Sequence, residues 1–158
     1  MQLLDGKKTA QDIMNEIAAE VAQMKANGEK VPHLAAVIVG NDGASLTYVG
    51  SKVKACERVG FESTLVKMPS TTSETELLKK IDQLNKDENI DGFIVQLPLP
   101  EQIDTQKVIM AIDPQKDVDG LRKYVFVHEK FRTDRLTRVF VQNMKKHAHC
   151  FGGGSTFV

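Results

Sequence analysis

The stretch LAAVIVG, Leu34 to Gly40, decides the fold. Its continuous, β-branched apolar run closed by glycine suits a strand covered on both faces of a parallel sheet; a strand with one wet face would alternate. Upstream, Ala10, Ile13, Ile17, Val21 and Met24 recur at three- and four-residue steps, which predicts an amphipathic helix over 9–26. Thr9 with Asp12 reads as its capping box, and Gly28 suits the left-handed cap behind it. Downstream, a second helix is expected over 44–59, with Val49, Val53 and Cys56 as its core stripe and Gly60 as its stop.

The alternation then continues. FESTLVKM (61–68) reads as a half-buried strand. SETELLKKIDQL (73–84) reads as a helix with Ser73 and Glu76 in capping-box positions. GFIVQLPLP, from Gly92, reads as a third strand that cannot pass Pro98, because proline lacks the N–H that a ladder needs. TQKVIMAI (105–112) is a short helix that ends before Pro114. Strands alternating with helices predict an α/β fold, a parallel sheet with helices on both faces in three αβα layers.

The whole chain has 158 residues, 41% of them hydrophobic and 27% charged, with a formal net charge of zero. That composition belongs to a folded, water-soluble domain. The longest apolar run, Leu34–Val39, is far short of the ~20 residues that span a bilayer, and the amino terminus has no apolar signal core; a cytoplasmic location with no membrane partner is the expectation. Two cysteines, Cys56 and Cys150, support neither a disulfide framework nor a zinc site. Charge is unevenly spread. Residues 1–120 carry 13 Lys+Arg against 19 Asp+Glu, a net of −6, and residues 121–158 carry 8 against 2, a net of +6. A basic tail can bind nucleic acid, but no groove-reading motif accompanies it, so a nucleic-acid partner is not expected.

In sheets of this kind ligands bind beyond the carboxyl ends of the strands. Three stretches lie there: the turn and helix start GNDGASLTYVGSK, then QLPLP, then KDVDG (116–120). Tyr48 and Lys52, four apart, share a helical face beside the core stripe, with Ser45 nearer the helix start. Together they offer a ring to stack on and an amine, although such pairs are commonplace on solvated helices. Gln96 can donate and accept at the strand end, just before Leu97 and Pro98. Asp117 and Asp119 lie in a loop that, taken alone, also reads as a solvated turn.

Taken together, YVGSKVKACERVGF (48–61), DGFIVQLPLPEQID (91–104) and IDPQKDVDG (112–120), in this order and at these separations, resemble the amino-terminal domain of the bifunctional methylenetetrahydrofolate dehydrogenase/methenyltetrahydrofolate cyclohydrolases. The resemblance covers residues 1–120. It implies oxidation of 5,10-methylenetetrahydrofolate with NADP⁺, then hydrolysis of the methenyl form to 10-formyltetrahydrofolate, in a homodimer without a metal. Carried onto this sequence, it makes Lys52 the central catalytic residue, Tyr48 the stacking ring and Gln96 a hydrogen-bond partner of Lys52. Leu97 and Pro98 line the substrate site, and Asp119 anchors the pterin. A desolvated lysine has a lowered pKa, and a positioned acid–base group contributes typically ~10²–10⁴-fold.

After Gly120 the family pattern stops. The following LRKYVFVHEKF and the rest of 121–158 match neither the family's next folate-site turn nor its NADP-binding domain. FGGGST (151–156) reads as a flexible end, and His147, His149 and Cys150 as part of a basic tail with no metal. The expectation is a truncated or frame-shifted product with no NADP site, retaining at most the hydrolytic step, or else a folate-binding remnant without catalysis.

Overall fold

In this computed structural model, residues 5–121 are described; the expectations for the basic tail, for FGGGST and for His147, His149 and Cys150 lie outside them. The elements follow in the order α1 (Gly6–Ala26), β1 (His33–Val39), α2 (Gly43–Val59), β2 (Glu62–Met68), α3 (Glu74–Lys86), β3 (Gly92–Val95) and α4 (Thr105–Ala111). The three strands form one parallel sheet in the order β2-β1-β3. The apolar run of β1 is its centre. Alternate residues of a strand point to opposite faces, and β1 is covered on both. Ala35, Val37 and Val39 join Phe93 and Val95 beneath Leu77, Ile81 and Leu84 of α3 and Val108 of α4. On the opposite face, Ala36 and Ile38 join Ile94 beneath Val49, Leu46 and Val53 of α2. The expected helix–sheet–helix layering is observed.

Local chemistry explains where the helices begin and end. Ser73 caps α3, its hydroxyl accepting from the Glu76 amide at 3.3 Å while the Glu76 carboxylate accepts from the Ser73 amide at 2.8 Å. This is the capping box that the sequence predicts. Gly28 and Gly60 take positive φ of 69° and 83° past α1 and α2, a region that is cheap for glycine.

The start of α1 differs from expectation. Its cap is Asp5, whose carboxylate accepts from the amides of Lys7 and Lys8, both at 3.1 Å. Thr9 sits inside the helix and donates its hydroxyl to the Asp5 carbonyl. A carboxylate one turn earlier takes the orphan N–H groups, so the Thr9–Asp12 pattern caps nothing. Coverage of α1 is also thinner than its periodicity suggests: Val21 is buried, Ile13, Ile17 and Met24 are partly so, and Ala10 is exposed. The stripe of α2 is similar, with Val49 buried and Val53 and Cys56 partly so; burial raises the Cys56 thiol pKa. The third strand stops at Val95, short of the expected Pro98, though the Gln96 amide still donates to the Val37 carbonyl at 2.8 Å.

Candidate functional site

The carboxyl ends of β1 and β3 bring the three candidate stretches together. The turn after β1 enters α2 through Asp42, whose carboxylate accepts from the Ser45 amide at 2.8 Å; that bond, first, holds the Asp42 carboxyl below its usual pKa. Ser45 is buried, and its hydroxyl lies 3.5 Å from the Leu97 carbonyl, which joins the first turn of α2 to the segment after β3. One turn on, Tyr48 is 60% exposed. The Lys52 ammonium sits 5.0 Å from the centroid of the Tyr48 ring, within cation–π range, and 3.4 Å from the Asp119 carboxylate. The Lys52 and Asp119 side chains are 32% and 35% exposed.

Asp119 reaches Lys52 because the KDVDG segment runs beside β3. The Phe93 amide donates to the Lys116 carbonyl at 2.9 Å, and Phe93 pairs in parallel with Asp117. The two carboxylates of the motif then divide. Asp117 accepts from the Gly120 amide at 3.0 Å and closes the turn, while Asp119 faces Lys52. Val118, between them, packs with the α2 face of the core. Gly92 makes this approach possible: a Cβ there would stand 2.6 Å from a Val118 methyl. Gly92 and Lys116 are the residues that sequence reasoning missed. A glycine at the head of a buried strand signals close backbone approach, and that was the available clue.

The hydrogen bonds at Gln96 differ from those that the resemblance implies. Its side-chain nitrogen donates to the Leu97 carbonyl at 2.7 Å, and Lys52 bonds Asp119; no Lys52–Gln96 bond forms among the described residues. The Leu97–Pro98 peptide is cis, and Pro98 is exposed beside the partly buried Leu97. The site therefore has an aromatic face, a cation–carboxylate pair and a polar amide on one rim, open to solvent on the Tyr48 side.

Comparison with known proteins bears on what this rim is. Residues 4–119 match the family described as tetrahydrofolate dehydrogenase/cyclohydrolase, catalytic domain. The chain belongs to that family. The Bifunctional protein FolD of Flavobacterium psychrophilum is 86% identical over 120 residues, covering 76% of this chain and 41% of that protein. The FolD of Flavobacterium johnsoniae is 71% identical over the same shares. Among solved structures, the FolD enzyme of Campylobacter jejuni superposes with a TM-score of 0.72 at 40% identity, over 76% of this chain and 42% of that one. A FolD of Trypanosoma brucei, solved with NADP cofactor and inhibitor, superposes at 0.68 and 33% identity, over 73% and 39%. The chain spans about two fifths of the length of the curated relatives that it matches. KDVDG lies at the end of the matched region, so the whole rim falls inside the family's catalytic domain.

Proposed function

We propose that this chain carries the folate wall of a methylenetetrahydrofolate dehydrogenase/cyclohydrolase site and acts in the hydrolysis of 5,10-methenyltetrahydrofolate. The observation that supports the reading is the juxtaposition of Tyr48, Lys52 and Asp119, two of them 67 positions apart in sequence. Tyr48 offers its ring face to the folate, Asp119 accepts from N–H groups of the pterin, and Gln96, Leu97 and Pro98 line the neighbouring edge. Water adds to the methenyl carbon, Lys52 helps move its proton, and one C–N bond of the bridge opens to leave the 10-formyl product. Positioned acid–base help of this kind contributes typically ~10²–10⁴-fold.

The family's NADP does not fit the described residues. Among the described residues the glycine-bearing turn into α2 is where a strand meets a helix start beside the rim, and there the Asp42 carboxylate already accepts from the Ser45 amide. A pyrophosphate would meet that negative charge where it needs free N–H groups. Hydrolysis, which needs water alone, is the step assigned to this rim. Among the described residues no group of His, Cys, Asp and Glu could hold a metal, and no helix is long and apolar enough to cross a membrane. Tetrahydrofolate derivatives as ligands, a cytoplasmic location and a homodimer complete the proposal.

A second reading, a folate binder without turnover, is favoured by one observation: Tyr48 and Lys52 stand open to solvent at 60% and 32%, so this wall alone does not close around a ligand. The test is release of 10-formyltetrahydrofolate from 5,10-methenyltetrahydrofolate by the purified chain, without nucleotide, beside Lys52→Met. Turnover at least 100-fold above the variant supports catalysis. Equal rates with retained folate binding establish the binder, and no folate binding overturns both.

A further inference from the structure

Lys116 is a member of KDVDG that the proposed chemistry does not use, and its side-chain contacts point away from the rim. Its partly buried ammonium donates to two backbone carbonyls at the carboxyl end of α3, Leu84 at 2.9 Å and Asp87 at 2.6 Å. It forms no ion pair among the described residues. A cation suits the last carbonyls of a helix, which carry the negative end of the helix dipole. The same residue is tied through its backbone. Its amide donates to the Asp113 carbonyl at 2.8 Å, and its carbonyl accepts from the Phe93 amide at 2.9 Å.

A second grip comes from the helix side. The Asn85 side chain donates to the Ala111 carbonyl at 2.8 Å and accepts from the Asp113 amide at 2.9 Å. The last turn of α3 thus holds the segment from Ala111 to Lys116 at both ends. Three residues past the clamp stands Asp119, with Val118 seated over Gly92 between them. That short stretch leaves little slack, so the position of the Asp119 carboxylate is inherited from the position of Lys116.

We propose that Lys116, with Asn85, is a positioning residue for Asp119: it fixes the pterin-binding carboxylate from the opposite face of the sheet without touching the ligand. The inference rests on the folate reading above. A displacement near an ångström at a site can cost about 10²-fold, which sets the scale of the expected effect.

The experiment measures tetrahydrofolate affinity by anaerobic calorimetry for the unaltered chain, Lys116→Met, Lys116→Arg, Asp119→Asn and the Lys116→Met/Asp119→Asn double variant. Methionine keeps much of the length and loses the donors. Lys116→Met is expected to weaken binding at least tenfold, with Lys116→Arg recovering most of the loss. The double variant should bind within about threefold of Asp119→Asn alone, because a residue acting through Asp119 has nothing left to position. Losses that multiply, or a Lys116→Met chain that binds as the unaltered one while Asp119→Asn is weak, overturn the proposal. Unchanged binding in Asp119→Asn overturns the folate reading itself, a different result. Should Lys116→Met fail to fold by urea titration, Asn85→Ala takes its place in the same cycle, judged by the same outcomes.

Discussion

The two faces of the sheet are built from one strand yet differ in what covers them. Among the described residues, twelve buried ones form a single cluster on the α3 and α4 side; on the α2 side the corresponding cluster has four. The edge strand shows the same contrast. Val66 and Met68 of β2 pack into the larger cluster, whereas Leu65, turned to the other side, is 41% exposed. The proposed ligand rim stands on the thinner face, where Tyr48 and Lys52 project from α2. On the proposed reading this is a division of labour: the thick face carries stability, and the thin face leaves side chains for a ligand while borrowing its rigidity. In that proposal Lys116 and Gly92 are the links, one reaching to α3 and the other letting Val118 close on β3.

The contrast can be broken most severely at Leu77, fully buried in the larger cluster. Leu77→Ala should lower the unfolding free energy by about 2–5 kcal/mol through lost transfer and cavity terms. Val49→Ala, equally buried on the thin face, removes two carbons and should cost about 2 kcal/mol. Urea titration of both variants checks the ranking; equal losses would mean that the faces share the load.

A smaller effect on stability, with a larger one on the site, is expected at Gly92. The added methyl of Gly92→Ala must displace Val118, at about 1–3 kcal/mol for overpacking. Tetrahydrofolate affinity should fall with it, because Asp119 follows Val118. Affinity kept at the unaltered value would separate the rim from the β3 contact.

The smallest effect concerns pH and the polar edge of the thick face. Donation from the Asp104 amide at 2.8 Å, then the Lys107 ammonium at 3.0 Å, hold the Glu74 carboxyl below its ordinary pKa. A depressed folded pKa contributes stability above the unfolded value, about 4.3 for glutamate, and loses it as pH falls through the lower folded value. Urea midpoints should therefore drop as acid is added below about pH 4.3, and less steeply in Glu74→Gln. An identical slope in the variant would remove Glu74 from the account.

Much of this was legible in the sequence, for a physical reason that also marks the limit. β1 could be read because burial on both faces leaves an unbroken apolar run, and the cap of α3 because Ser73 and Glu76 are three residues apart. Tyr48 and Lys52 were legible as a pair by helical spacing alone. Asp119 was legible only as one carboxylate of a strand-end loop: its contact with Lys52 crosses 67 positions, which no local pattern reports. Lys116 escaped for the same reason, since its carbonyl partners lie 32 and 29 residues away. The Thr9–Asp12 pattern misled because capping is a competition, and Asp5 wins it from one turn earlier.

The central claim, that the thin face and the KDVDG segment form one ligand rim, is tested most directly by amide hydrogen exchange with and without tetrahydrofolate. The account predicts added protection at 45–52 and 116–120, with α3 outside its last turn unchanged. Protection spread over the α3 face, or none at either stretch under saturating ligand, would contradict it.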